Sequence, residues 1–139
     1  MSFRWFFTAS VGTLVLVPFL SSAQTRGTNN TDTAVQRGKY IVEDVANCWM
    51  CHAPIGNTRD QLFGGPVPFA PVRSTSNWAE VAPRLAGEPP GTDEQFITLM
   101  MTGIARTGKP PRPPMPQFRM TRPDAEAVLA FLKSITPDE

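Results

Sequence analysis

The stretch Cys48-Trp49-Met50-Cys51-His52 decides how the rest of the chain is organised. It contains both cysteines and the only histidine of the 139 residues. A structural zinc site normally needs four ligands of these types, so this inventory disfavours one. A thioredoxin-like dithiol would lie beside alternating strands and helices, and the sequence shows no such alternation. A structural disulfide between Cys48 and Cys51 is disfavoured too, because it would close a very tight loop.

The spacing C-x-x-C-H is instead the sequence at which haem c is attached covalently. Each thiol adds to one vinyl group of the porphyrin, and the adjacent histidine becomes an axial ligand of the iron. We therefore predict one covalent haem c, attached through Cys48 and Cys51 and ligated by His52.

The N-terminal residues have the pattern of an export signal. A short positive start at Arg4 precedes the apolar stretch Trp5–Leu20, and the small residues Ser21-Ser22-Ala23 follow. A membrane-spanning helix needs about 20 largely apolar residues, and this stretch is shorter and interrupted by polar ones. We expect residues 1–23 to be a cleaved signal peptide and the protein to be periplasmic. An uncleaved segment would instead anchor it to the outer face of the cytoplasmic membrane.

Charge and proline content exclude several classes of protein. The chain has 13 Lys and Arg residues and 12 Asp and Glu residues. Removal of Arg4 with the signal peptide would leave 12 basic and 12 acidic residues, so the mature protein would be formally neutral. Charge-driven binding to nucleic acid or to an anionic membrane is therefore not expected. The 15 prolines disfavour long helices and long β-ladders.

After a flexible polar leader at residues 24–32, one domain is expected at residues 33–136, with three helices. The expected helices are Thr33–Asn47, Asp93–Thr102 and Arg122–Ile135, each carrying apolar residues at helical spacing. The predicted N-caps are Thr31 or Asp32, Thr92 and Thr121. The apolar side of the first helix should contain Val35, Tyr40, Ile41, Val42 and Val45. Gly38 inside this helix suggests that another element packs close to its backbone; the alternative is a glycine that the helix merely tolerates.

The connections between these helices are rich in glycine and proline. Residues 53–91 read as loops, and the run from Gly64 through Pro68 to Pro71 disfavours any regular element there. Residues 108–116, GKPPRPPMP, should form a stiff extended loop of polyproline character.

The second axial ligand cannot be another histidine of this chain, and methionine is the next choice. Met115 stands between Pro114 and Pro116, which fix the backbone, and a preorganised loop favours a weak thioether ligand. Met120 is better placed for a contact before the third helix. Met100 and Met101 lie inside a helix, where methionine usually fills a core. Met50 lies within the attachment sequence and cannot reach round the ring. We therefore predict Met115.

With these residues in hand, the chain from Thr33 to Thr136 resembles a class I monohaem cytochrome c. It is similar to the cytochrome c subunits and domains that accompany periplasmic dehydrogenases. The resemblance implies an all-α small cytochrome c fold, with about three main helices and long Pro-rich loops wrapped round one covalent haem. It also implies that the first and third helices cross closely, with Gly38 letting Phe131 or its neighbours approach.

The resemblance assigns one further residue. Ala82-Pro83-Arg84-Leu85 is like the family's Pro-x-Leu stretch, which implies that the carbonyl of Pro83 accepts a hydrogen bond from Nδ1 of His52. Gly65-Pro66 is the rival for this role, because it also follows His52 at loop distance.

The function implied is single-electron transfer through a low-spin haem whose axial positions are filled by His52 and Met115. The expected partner is a redox protein such as a periplasmic dehydrogenase or a terminal oxidase, and the protein itself is not expected to be an enzyme. The alternative is a haem c enzyme or ligand sensor in which the sixth position of the iron is open or displaceable.

Overall fold

The computed structural model describes residues 26–56, 59, 61–69 and 77–136. The predicted signal peptide and the first two residues of the predicted leader lie outside the described residues. The elements in chain order are α1 (Arg26–Tyr40), a π-helical turn (Ile41–Val45), α2 (Trp49–His52), β1 (Gly65–Pro66), β2 (Val81–Ala82), α3 (Asp93–Thr102) and α4 (Arg122–Ser134). The predicted all-α fold is confirmed, apart from one small strand pair within the described part of the chain.

Helix α4 is the centre of the fold, because both α1 and α3 pack against it. Its buried residues are Ala125, Ala127, Val128, Leu129, Phe131 and Leu132. The amphipathic pattern predicted one buried stripe, ending at Ile135, which is only partly buried. Ala127 and Phe131 widen that stripe, because α1 covers a second face of the same helix.

Helices α1 and α4 touch backbone to backbone at Gly38. A Cβ at this position would overlap the carbonyl oxygen of Ala127 and lie 2.8 Å from the Cβ of Phe131. Only a residue without a side chain permits this crossing. The predicted close approach at Gly38 is therefore confirmed.

Two local signals place the starts of α3 and α4 as predicted. Thr92 and Gln95 form a reciprocal capping box at the start of α3, and the hydroxyl of Thr121 accepts the backbone N–H of Asp124 in α4. Helix α3 ends at Gly103, whose φ of 66° is a left-handed conformation that glycine adopts without strain.

The first helix differs from the prediction at both ends. It begins at Arg26, so Arg26–Asp32 is helical, and neither Thr31 nor Asp32 is its N-cap. Once a helix is nucleated, each further residue adds one hydrogen bond for each backbone unit that is fixed. The packed part of α1 can therefore extend through polar residues that show no periodicity.

The same helix ends early, in a π-helical turn. The N–H of Ala46 bonds the carbonyl of Ile41, five residues back, instead of four. The wider turn rotates the following residues, so Ala46 packs against the core and Val45 is 57% exposed. Tyr40 is 52% exposed as well. The predicted apolar side is thus correct for Val35, Ile41 and Val42, which lie in or against the core, and it is wrong for Tyr40 and Val45.

The predicted absence of regular structure after Gly64 is wrong in one place. Strands β1 and β2 pair antiparallel, with Gly65 opposite Ala82 and Pro66 opposite Val81. A ladder of two residues tolerates a proline, because few N–H groups are needed to hold it. This pair brings the chain around Pro83 back to the attachment sequence.

The crossing at Gly38 predicts the effect of a single methyl group. Gly38→Ala should lower the free energy of unfolding by about 3 kcal/mol or more, the upper end of overpacking costs, because the clash is with backbone. Denaturant unfolding measures this. The matched control is Gln36→Ala at an exposed position of the same helix, which should change stability by less than about 0.5 kcal/mol. Equal stabilities of the two variants would contradict the crossing.

Candidate functional site

A partly enclosed cavity of about 450 Å³ lies among α3, α4, the attachment sequence and the loop that contains Met115. Most of its wall is apolar, and its size falls within the range of about 300–1,000 Å³ usual for cofactor sites. The helices contribute Phe96, Leu99, Met100, Val128 and Leu132, strand β2 contributes Val81, and the loops contribute Val67, Ala79, Pro111 and Phe118, among others. Cys48, Cys51, His52 and Met115 all line this one cavity.

The attachment sequence forms a single helical turn. The N–H of His52 bonds the carbonyl of Cys48 at 2.9 Å, so Cys48, Cys51 and His52 occupy positions i, i+3 and i+4. Residues at this spacing share one face of a helix, here the face on the cavity. Asn47 begins the turn with a φ of 50°, a left-handed conformation that asparagine tolerates. The spacing of the motif thus delivers two thiols and an imidazole to the same wall.

The side chains between the two cysteines point elsewhere. The indole N–H of Trp49 donates to the carbonyl of Glu43 at 3.2 Å, which ties the attachment turn to the π-helical turn before it. Met50 is 48% exposed and does not line the cavity, as expected for a residue that is not an iron ligand.

Both cysteines are free thiols. Burial raises the pKa of Cys48 to about 11 and also raises the pKa of Cys51. At neutral pH both groups are therefore protonated in the structure as it stands. Neither thiol is a thiolate poised for disulfide exchange, so the pair does not have the electrostatics of a redox-active dithiol.

His52 is held in one orientation by the backbone. Its Nδ1 donates to the carbonyl oxygen of Pro83 at 2.8 Å, and the side chain is 6% exposed. The observed partner is Pro83, and not Gly65 or Pro66. Burial lowers the pKa of His52, and the hydrogen bond to Pro83 offsets part of this shift. The imidazole is therefore neutral at neutral pH. With Nδ1 protonated, the nitrogen left to bind a metal is Nε2.

Gly64 sets the distance between His52 and Pro83. Its N–H bonds the carbonyl of His52 at 2.7 Å, and its φ is +77°. A Cβ here would lie 2.6 Å from the backbone nitrogen of Arg84 and 2.7 Å from the carbonyl carbon of Pro83. A side chain at this position would push the Pro83 segment away from the imidazole.

Three of the predicted candidate methionines line the cavity: Met100, Met115 and Met120. Met100 is 4% exposed and belongs to the core of α3. Met120 is linked to that helix by a hydrogen bond from its N–H to the carbonyl of Met100. Met115 lies in the proline-rich loop, where its N–H bonds the carbonyl of Arg112. Pro114 and Pro116 on either side line the cavity too.

Sequence reasoning missed part of the cavity wall. Val67, Ala79 and Val81 come from the long connection between His52 and α3, where short apolar segments carry no periodicity. Their placement depends on the strand pair β1–β2, which no local signal announced. Of the basic residues near the Met115 loop, Arg106 and Arg112 line the cavity and Lys109 does not.

The donor set fits an iron porphyrin attached to the chain. The cavity is lined by two thiols that could form thioethers with a porphyrin, by the imidazole of His52 and by three methionine side chains, and most of the remaining wall is apolar. The residues that would hold the group are Cys48, Cys51 and His52, with one methionine.

Comparison with known proteins agrees with this fit. The model of the family described as Cytochrome c matches residues 35–136, which includes the attachment sequence and every methionine on the cavity wall. None of the curated proteins matches the chain.

Replacement of Gly64 by alanine should loosen the His52–Pro83 hydrogen bond. We expect faster hydrogen exchange of the His52 Nδ1 proton, measured by NMR, because the added methyl displaces Arg84 and Pro83. Gly56→Ala is the matched control, since Gly56 also has a positive φ, +89°, but a Cβ there would meet nothing within 4 Å. Both variants bear the backbone strain, of about 1–3 kcal/mol. An unchanged exchange rate in Gly64→Ala would contradict the assigned role of Gly64.

Proposed function

Because the chain belongs to the cytochrome c family, we propose that it is a class I monohaem electron carrier and not itself an enzyme. Members of the family bind haem c covalently, and the bound iron supplies a reversible one-electron couple. The observation that carries the proposal is the single cavity that unites Cys48, Cys51 and His52 with the loop of Met115. The residues of this wall would supply the cysteines that attach the cofactor and the side chains that ligate its iron.

The proposed axial ligands are His52 and Met115. Support for His52 comes from its neutral imidazole and its hydrogen bond to Pro83, which orients the ring and strengthens its donation to a metal. Support for Met115 comes from the loop. The carbonyl of Pro113 accepts the N–H of Ala79 at 2.7 Å, so the loop is hydrogen-bonded to the segment before β2. A thioether held on a preorganised loop loses little freedom when it binds.

The other two methionines that line the cavity already have structural roles. Met100 is buried in the core cluster between α3 and α4, and removing it would open a cavity there. Met120 continues the hydrogen bonding of α3 into the segment before α4. Two filled axial positions leave no site for a substrate on the iron, which is the physical basis for proposing a carrier.

Met115→Ala should remove the proposed sixth ligand of the iron and leave that coordination position free. We expect the ferric protein to lose its sulfur–iron absorption band, to change from low-spin to high-spin, and to bind added imidazole readily. The reduction potential should fall, because a thioether ligand favours the ferrous state. Optical spectra and a redox titration measure these changes.

Met120→Ala is the matched control, since Met120 lines the same cavity and should keep the wild-type spectrum. If Met120→Ala loses the sulfur–iron band and Met115→Ala keeps it, the assignment of the ligand is wrong. A wild-type ferric protein that is already high-spin would contradict the carrier and favour an enzyme or ligand sensor.

The proposal places the protein in the periplasm, as a carrier or a subunit that accepts electrons from a dehydrogenase or passes them to a terminal oxidase. Its support is the N-terminal export pattern and the resemblance to cytochrome subunits of periplasmic dehydrogenases. Among the described residues, no helix combines the length and the apolar character needed to cross a bilayer.

The proposed docking surface is apolar. Val81 lines the cavity and is 64% exposed, and Ile55, which follows the attachment sequence, is 72% exposed. Basic and acidic residues nearly balance over the chain, with a formal charge of +1 before loss of Arg4. A neutral protein that docks through an apolar rim needs little electrostatic steering.

Electron transfer to the physiological partner should therefore depend weakly on salt. Steered encounters slow steeply as the Debye length falls from about 30 Å at 0.01 M to about 10 Å at 0.1 M. Stopped-flow rates across this range should change modestly, and Val81→Asp should slow transfer more than Lys133→Ala, whose ion pair with Asp93 lies outside the cavity. A rate that falls steeply with salt would point to a charged docking face.

A further inference from the structure

Pro83, whose carbonyl accepts the hydrogen bond from His52, cannot fix its own position. Proline has no backbone N–H to donate, and the carbonyl oxygen is already bonded to Nδ1 of His52 at 2.8 Å. Before it, the pairing of β2 with β1 extends over two residues only. The direction of this carbonyl therefore depends on how the chain after Pro83 is held.

One carbonyl group holds the backbone that follows Pro83. Leu62, which is fully buried, accepts the N–H of Leu85 at 2.8 Å and the N–H of Ala86 at 3.0 Å. Gly64, two residues after Leu62, bonds the attachment turn through its own N–H. The short stretch from Leu62 to Gly64 therefore contacts both the attachment turn and the segment that carries the acceptor of its histidine.

A side-chain contact joins the same two segments. The guanidinium of Arg84 lies over the ring of Phe63, with 5.5 Å between Cζ and the ring centroid. A cation at this distance over an aromatic face is attracted by the quadrupole of the ring. Phe63 packs against the core cluster, and Nε of Arg84 donates to the carbonyl of Ala86 at 2.8 Å. Both partners of the contact are therefore held in place.

The Arg84–Phe63 contact acts on the acceptor through one peptide unit. The carbonyl of Pro83 and the backbone nitrogen of Arg84 belong to the same planar group, so a rotation of the backbone at Arg84 redirects the carbonyl. Neither Arg84 nor Phe63 lines the cavity, and in the described part of the chain no ion pair includes Arg84. The contact therefore holds the backbone beside His52 and does not reach into the cofactor space.

We propose that Arg84, held over Phe63, directs the Pro83 carbonyl toward His52 and so tunes the donation of this ligand to the iron. The inference rests on the proposed function, since the iron belongs to the haem. The hydrogen bond to Pro83 makes the imidazole a stronger donor, and a stronger donor favours ferric iron. Arg84 and Phe63 are positioning residues, because they act on the iron through this hydrogen bond.

The direct test measures exchange of the His52 Nδ1 proton with water, by NMR of the ferrous protein. Arg84→Gln and Phe63→Leu should each speed this exchange by about threefold or more, because each removes the cation–π contact. Both changes remove the same contact, so the double variant should exchange at about the rate of the faster single variant. An unchanged rate in both single variants, or effects that multiply in the double variant, would overturn the proposal.

Tyr40→Leu is the matched control for Phe63→Leu. The guanidinium of Arg37 lies 5.7 Å from the centroid of the Tyr40 ring, so this variant removes a comparable contact on α1 that does not involve the Pro83 segment. The His52 proton should exchange at the wild-type rate in Tyr40→Leu. Equal acceleration in the two variants would show a general loosening of the protein and would overturn the positioning role.

Arg84→Lys is the conservative variant. It keeps a cation that can lie over the ring of Phe63, but it loses the bond from Nε to the carbonyl of Ala86. Its exchange rate should therefore lie between the rates of the wild type and of Arg84→Gln. A rate equal to that of Arg84→Gln would show that the cation does not hold the segment, and the proposal would be wrong.

The reduction potential gives a second readout, whose sign separates tuning from damage. Phe63→Leu should raise the potential, because a weaker hydrogen bond to Pro83 makes His52 a weaker donor and favours ferrous iron. The variant keeps the charge of Arg84. A loosened site that admits water would instead favour the ferric state and lower the potential. A redox titration of the covalent haem protein that shows a lower or unchanged potential contradicts the proposal.

The results separate this proposal from the proposed function. A wild-type protein without covalent haem contradicts the proposed function, and the exchange rates of the His52 proton then still test whether Arg84 and Phe63 position Pro83. A wild-type protein with a low-spin, covalently bound haem, in which neither Arg84→Gln nor Phe63→Leu alters the exchange rate, overturns the positioning role alone.

Discussion

The backbone contact between Gly38 of α1 and Ala127 of α4 is the constraint on which the site depends. It fixes the crossing of the two helices, and the π-helical turn and α2 follow directly from α1 along the chain. The attachment turn is thereby set against α4, whose Val128 and Leu132 line the cavity. Helix α4 thus has two roles: one side packs closely against α1 at Ala127, and another side forms part of the apolar cavity wall.

The interior of the site favours neutral groups, and this bears on its chemistry. Burial lowers the pKa of His52 and so disfavours charge on the imidazole, and the charged side chains on the described wall are two arginines. A metal in such surroundings has little water near it, so its additional positive charge in the oxidised state is poorly solvated. The apolar wall and the arginines should therefore favour the reduced state of a bound iron.

Much of the fold and of the candidate site could be predicted from local sequence signals. The capping residues Thr92 and Thr121 placed the starts of α3 and α4, Gly38 marked the close crossing, and C-x-x-C-H identified the attachment turn. The early end of α1 could not be predicted, because a π-helical turn has no distinctive composition, and it reversed the exposure of Val45. The strand pair β1–β2 and the wall residues Ala79 and Val81 depend on long-range contacts.

The central claim is that this cavity holds one haem through thioethers to Cys48 and Cys51. The most direct measurement is the intact mass of the protein after denaturation and acid–acetone extraction. The account predicts a mass equal to the chain plus one haem, and a haem-free chain when Cys48→Ala and Cys51→Ala are combined. A wild-type protein that releases all its haem on extraction would contradict the claim.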